Sequence, residues 1–89
     1  MEAEIRYVAL IGFREDGIGE LKGVFRDIDD AVAVIRKEYD DLCKAHGGIV
    51  ANKLFNERMN DPVGYRAWGE IRFINDRYWF GTVIESTVR

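Results

Sequence analysis

This chain of 89 residues has few of the residues that staple small folds. It holds one cysteine, Cys43, so no internal disulfide can form. Stable disulfides belong to oxidising compartments, so a reducing, cytoplasmic setting is the expectation. Its single histidine, His46, and that single cysteine leave any metal site or Cys–His nucleophile short of partners. No cofactor and no catalytic residue is therefore expected. No apolar run approaches the ~20 residues of a membrane span. The opening MEAEIRYVALIGF begins with acids where a signal peptide has a basic region, and it lacks a small-residue cleavage pattern. No Asn-x-Ser/Thr sequon occurs. An excess of base is missing too. A net charge of −3 and a pI near 5.1 argue against a general nucleic-acid binder, which needs a basic face to displace counterions.

What is present is apolar: 47% of the residues are hydrophobic, enough for one domain spanning 1–89 and no second core. The charge is unevenly placed. Met1 to His46 carries 11 acids against 7 bases, and Gly47 to Arg89 carries 5 against 6. Five of those six later bases are arginine, the cation that stacks and makes forked hydrogen bonds at interfaces.

Ile5 to Phe13 reads as a strand. Ile5, Tyr7, Ala9, Ile11 and Phe13 lie on one face, and Val8 and Leu10 make the middle of the other face apolar as well. Such a strand is central or covered on both sides, and the second cover can be a partner chain. Asp16-Gly17 marks a turn, and Glu20 to Arg26 returns as the second arm of a hairpin. Asp27 then caps a helix over Ile28–Ala45. Ile28, Ala31, Val32, Ile35, Tyr39, Leu42 and Cys43 recur along it at helical spacing. His46-Gly47-Gly48 ends it, with glycine in the left-handed conformation past the cap. For Ile49–Asn60 the placement of Ala51, Leu54, Phe55, Arg58 and Met59 on one face favours a short second helix. A strand over Ile49–Phe55 is the competing reading. Asn60 to Gly64 is a turn, since Pro62 disfavours helix at Asp61.

The last stretch, Tyr65 to Val88, reads as a long hairpin holding both tryptophans. Two-residue loops of Asn75-Asp76 or Asp76-Arg77 both suit it. Both put Tyr65, Ala67, Gly69, Ile71, Phe73, Tyr78, Phe80, Thr82, Ile84 and Ser86 on one face. The other face then holds Arg66, Trp68, Glu70, Arg72, Ile74, Trp79, Gly81, Val83 and Glu85. The Asn75-Asp76 loop sets Arg66 against Glu85 and Arg72 against Trp79, favourable pairs across strands. One amphipathic helix over two hairpins makes an α+β two-layer sandwich.

The mixed face supplies the candidate site: Arg66, Trp68, Arg72, Ile74, Trp79 and Val83, with Glu70 and Glu85 among them. Trp and Arg inside a polar border is the composition of an interface hot spot. The plainer reading is that the tryptophans pack under loops or arginine stems of their own chain. Sheet-borne aromatics beside arginine also suit single-stranded nucleic acid, although two glutamates share the face and no RNP1-type motif occurs.

Other features have ordinary explanations. Asp27, Asp29 and Asp30 serve the helix start. Glu38, Asp40 and Asp41 form a solvated helix face with Arg36, Lys37 and Lys44. Gly17-x-Gly19 precedes a strand, so it is not a nucleotide loop. Glu15 and Asp16 are neighbours in a turn with no pocket predicted around them.

The expectation is a non-enzymatic interaction module of inhibitor or accessory type, of the size that bacteria and phages encode. Its partner is another protein or a second copy of itself, met through the Trp/Arg sheet face or an edge strand. The alternative is a single-stranded nucleic-acid binder using the same face. A third reading is a subunit whose ligand site forms only between two chains, around Tyr65, Arg66 and Arg72.

Overall fold

The computed structural model describes residues 4–17 and 19–88. In chain order it forms β1 (Glu4–Phe13), β2 (Glu20–Phe25), α1 (Ile28–Ala45), β3 (Val50–Asn56), β4 (Tyr65–Phe73) and β5 (Tyr78–Val88). Short 3-10 turns lie at Arg14–Asp16 and Gly47–Ile49. The strands make one antiparallel sheet in the order β2-β1-β5-β4-β3, and α1 lies across one face of it. This is an α+β fold of two layers.

The helix begins and ends where its chemistry directs. Asp27 is extended, and its Oδ1 accepts the Asp29 N–H at 2.9 Å, satisfying one orphan donor of the first turn. Ala31, Ile35 and Tyr39 form the buried line of the apolar stripe, with Val32, Leu42 and Cys43 packed beside them. At the other end the expected left-handed glycine is absent. His46 caps with φ −124°, and its N–H donates to the Leu42 carbonyl at 2.9 Å. Gly47 and Gly48 continue into the 3-10 turn, which Ile49 closes on His46 at 3.0 Å. The carbonyls are satisfied by tightening the coil, so no left-handed residue is needed.

Ile49–Asn60 is not a second helix. Val50 to Asn56 pairs antiparallel with β4 and completes the sheet. Phe55 and Leu54 explain why. Phe55 turns toward the helix and meets the Tyr39 ring edge-on at 5.0 Å, whereas Leu54 lies on the opposite face and is 46% exposed. Neighbours on opposite sides are a strand's alternation. Without β3, the outer N–H and C=O groups of β4 would have no ladder.

The core lies between α1 and the facing rows of the sheet. Ala9, Ile11, Ala67, Ile71, Phe73, Trp79 and Val83 contribute from the strands. Gly69 and Gly81 face each other across β4 and β5, and they make this core possible. A Cβ at Gly81 would stand 2.7 Å from Trp79 Cη2 and 3.3 Å from Ile35 Cβ; one at Gly69 would stand 2.6 Å from Phe55 Cδ2. The pair opens a notch that the Phe55 and Trp79 rings fill.

Candidate functional site: the open sheet face

The turn of the last hairpin decides which residues reach this face. The loop has three residues, Ile74, Asn75 and Asp76. The Asp76 N–H donates to the Phe73 carbonyl at 3.1 Å, and the Phe73 N–H donates to the Arg77 carbonyl at 2.9 Å. Asp76 takes a φ of 67°, the left-handed position that closes such a loop. Ile71 therefore faces Trp79 and Arg72 faces Tyr78. Both two-residue loops would offset the second arm by an odd number of positions from this pairing. Side chains alternate with a period of two, so that offset turns every residue of the arm to the other face.

Two members of the expected site are therefore misplaced. Trp79 is 1% exposed and Val83 0% exposed, both beneath α1. Trp79 lies 6.2 Å from the Tyr39 ring. Ile74 stands in the turn itself and is 65% exposed. Arg66 leaves the face by another route. A register shift between Tyr65 and Ala67 makes Arg66 the extra residue of a bulge and directs it toward the start of α1. There Arg66 Nη2 pairs with Glu85 Oε2 at 3.3 Å, and Nη1 donates to the Asp61 carbonyl at 2.9 Å. The expected Arg66–Glu85 pair thus forms, but on the helix side. Trp68 and Arg72 remain on the open face.

Tyr65, Tyr78, Phe80 and Ile84, expected in the core, join them there. The cross-strand register sets out four rows. One runs Val24, Val8, Ile84, Tyr65; the next runs Leu21, Leu10, Thr82, Trp68, Asn56. The third runs Gly12, Phe80, Glu70, Leu54, and the fourth Tyr78, Arg72, Asn52. Trp68 stacks on Phe80 with centroids 5.7 Å apart and 10° between planes, and Tyr65 meets Trp68 edge-on at 6.2 Å. Thr82 is buried below them and donates its hydroxyl to the Ala67 carbonyl at 2.8 Å. Toward the edges Leu21 is 57% and Val24 55% exposed.

One carboxylate sits within this apolar field. Glu70 Oε1 accepts the Trp68 indole N–H at 3.2 Å, and Oε2 accepts the Tyr78 hydroxyl at 2.5 Å. Burial, then the hydrogen bond to Glu70 and its charge, push Tyr78 up to about 12 from its ordinary 10. The phenol stays protonated and remains a donor at neutral pH.

Cys43 and His46 lie at the end of α1 in different settings. Burial pushes the Cys43 thiol up, which keeps it a thiol packed against the core. His46 stands edge-on to Phe73 at 6.0 Å. Among the described residues no three metal-ligating side chains converge. Glu38, Asp40 and Asp41 pair with Lys22, Arg36 and Lys37 respectively, as a solvated helix face does.

Fold and site together define a small α+β domain with a helix on one side of its sheet and an aromatic, largely apolar surface on the other. No family model matches the chain, and neither a curated protein nor a solved structure matches it.

Proposed function

We propose that this domain is a protein-interaction module that self-associates, two copies stacking their open sheet faces. The observation that carries this reading is the uncovered face itself. Its rows from Val24 to Tyr65 and from Leu21 to Trp68 are apolar or aromatic across four adjoining strands except at Thr82, which is buried. Contiguous exposed apolar surface of this kind marks a contact site.

Three further points favour a second copy. The first is size. Five strands about 4.8 Å apart, crossed by rows about 7 Å apart, make a patch on the order of 600 Å². Two such faces together cover about 1,200 Å², the lower end of the range for specific interfaces. The second is charge. Glu70 already has both oxygens hydrogen-bonded, so covering it strands no bare carboxylate. The third is the edges. β2 and β3 each carry a register irregularity, and Lys22 and Lys53 lie in them, features that discourage edge-to-edge growth. Stacked sheets are the remaining way to cover a face this wide.

The single-stranded nucleic-acid reading loses Arg66 to the helix side, which leaves Arg72 alone from the expected basic set beside Glu70. Sedimentation across a wide concentration range tests self-association. A monomer–dimer equilibrium is expected, and Leu21→Glu with Leu54→Glu should abolish it while leaving the helix signal intact. A monomeric mass at every concentration overturns the reading.

A further inference from the structure

At one end of the open face, the 3-10 turn Arg14–Asp16 leans over the start of β5. With the end of β4 it borders an open cleft of about 470 Å³ lined by Arg14, Glu15, Arg72, Asp76 and Tyr78. That volume lies within the range of roughly 300–1,000 Å³ typical of small-molecule sites. Tyr78 is its central surface. The Arg14 guanidinium lies 5.8 Å from the ring centroid, and Arg72 is the cross-strand neighbour of Tyr78. The Tyr78 hydroxyl is committed to Glu70, so the cleft is offered a flat ring and two cations.

The charges around it are unequal in their commitments. Arg6, Arg36, Arg66 and Arg77 each pair with a carboxylate. Among the described residues neither Arg14 nor Arg72 makes an ion pair. Glu15 has a structural duty: Oε1 accepts the Tyr78 N–H at 2.6 Å, and Oε2 lies 3.9 Å from Arg77 Nε. The lining thus sets the carboxylates of Glu15 and Asp76 against the guanidinium groups of Arg14 and Arg72. In a chain of net charge −3, the charges lining the cleft balance.

We propose that this cleft binds a small phosphate-bearing ligand, its anion held between Arg14 and Arg72 and its body against the Tyr78 ring. Neither guanidinium fork is held in an ion pair among the described residues, and together they can meet the three outward oxygens of a phosphate group. The site adjoins the proposed self-association face and shares Arg72 and Tyr78 with its outermost row, while Arg14 and Glu15 come from the 3-10 turn.

Inorganic phosphate is the probe, titrated at neutral pH and constant ionic strength while the arginine Nε–H resonances are followed by NMR. Saturable shifts at Arg14 and Arg72 are expected in the millimolar range. Arg14→Gln and Arg72→Gln should each weaken binding by about tenfold. Asp76→Asn should strengthen it several-fold, because asparagine keeps the left-handed turn and removes the opposing charge. A gain of affinity is not an outcome that damage to the fold would produce. The proposal is overturned if phosphate gives no saturable shift up to tens of millimolar, or if the two arginine variants bind as the parent does. Succinate at matched ionic strength is the second arm, and equal or tighter binding of succinate overturns the phosphate assignment. Sedimentation of the same samples, with the titration repeated on the Leu21→Glu, Leu54→Glu variant, separates this result from self-association, since absent shifts in the monomeric variant overturn the cleft whatever the mass of the parent.

Discussion

Trp68 and Trp79 show how far one side chain's meaning depends on its direction. Trp79 fills the notch over Gly81 and touches the ring system of Tyr39 beneath the helix. Trp79→Ala should cost about 3–5 kcal/mol, a large part of the stability of a domain this small, and chemical denaturation will show it. Gly81→Ala overfills the same notch and should cost about 1–3 kcal/mol by the same measurement. Trp68→Ala removes a half-buried ring from the open face, so its effect should fall mainly on association. Tyr78 gives a test that does not perturb the core. Its folded value, about 12, lies above the ordinary 10 that the unfolded chain would show. The stability it contributes is therefore fully present below pH 10 and is lost as the pH rises through 12. Glu70→Gln removes the negative charge beside the phenol and should lower the Tyr78 value, with burial keeping part of the shift. Following the tyrosine Cζ resonance with pH reads this directly.

At the scale of elements, the helix was legible because its signals are local. Asp27 in front of it, acids in its first turn and apolar residues at helical spacing all act within a few positions. Asp27→Ala should destabilise the fold by about 1 kcal/mol in thermal or chemical melts, through the lost cap to the Asp29 N–H. Both hairpins were legible for the same reason, from apolar arms around Asp16-Gly17 and around Asn75-Asp76. The faces of the second were not, since a single loop residue reverses them. Two signals did point to the observed register. Asp76 is a residue type that tolerates the left-handed position closing a three-residue loop. Pairing Gly69 with Gly81 also leaves Ile71, Phe73, Trp79 and Val83 as one apolar set beside the space that two glycines vacate. β3 was legible only as the alternative to a short helix, for a different reason. Its place is set by the unpaired edge of β4, a partner that follows it in the chain.

At the scale of the molecule, the sheet is covered on one side only, and this asymmetry makes the strongest demand on behaviour in solution. The apolarity of both faces of Ile5–Phe13 implied a central strand or a second cover; β1 is an interior strand, and the extent of the open apolar rows across β2, β1, β5 and β4 emerged only with the strand order. If a second copy supplies that cover, folding and association are linked, because the partner binds the folded chain and not the unfolded one. The melting temperature should then rise with protein concentration. The two tryptophans add an internal control. Trp79, 1% exposed within its own chain, should resist acrylamide at every dilution. Trp68, on the open face, should become quenchable only as the sample is diluted. Apolar contact of this kind responds weakly to sodium chloride and is strengthened by sulfate, whereas contact with nucleic-acid phosphates weakens steeply with salt. A melting temperature that ignores concentration, together with Trp68 quenching unchanged on dilution, would show that the open face is not a self-association surface.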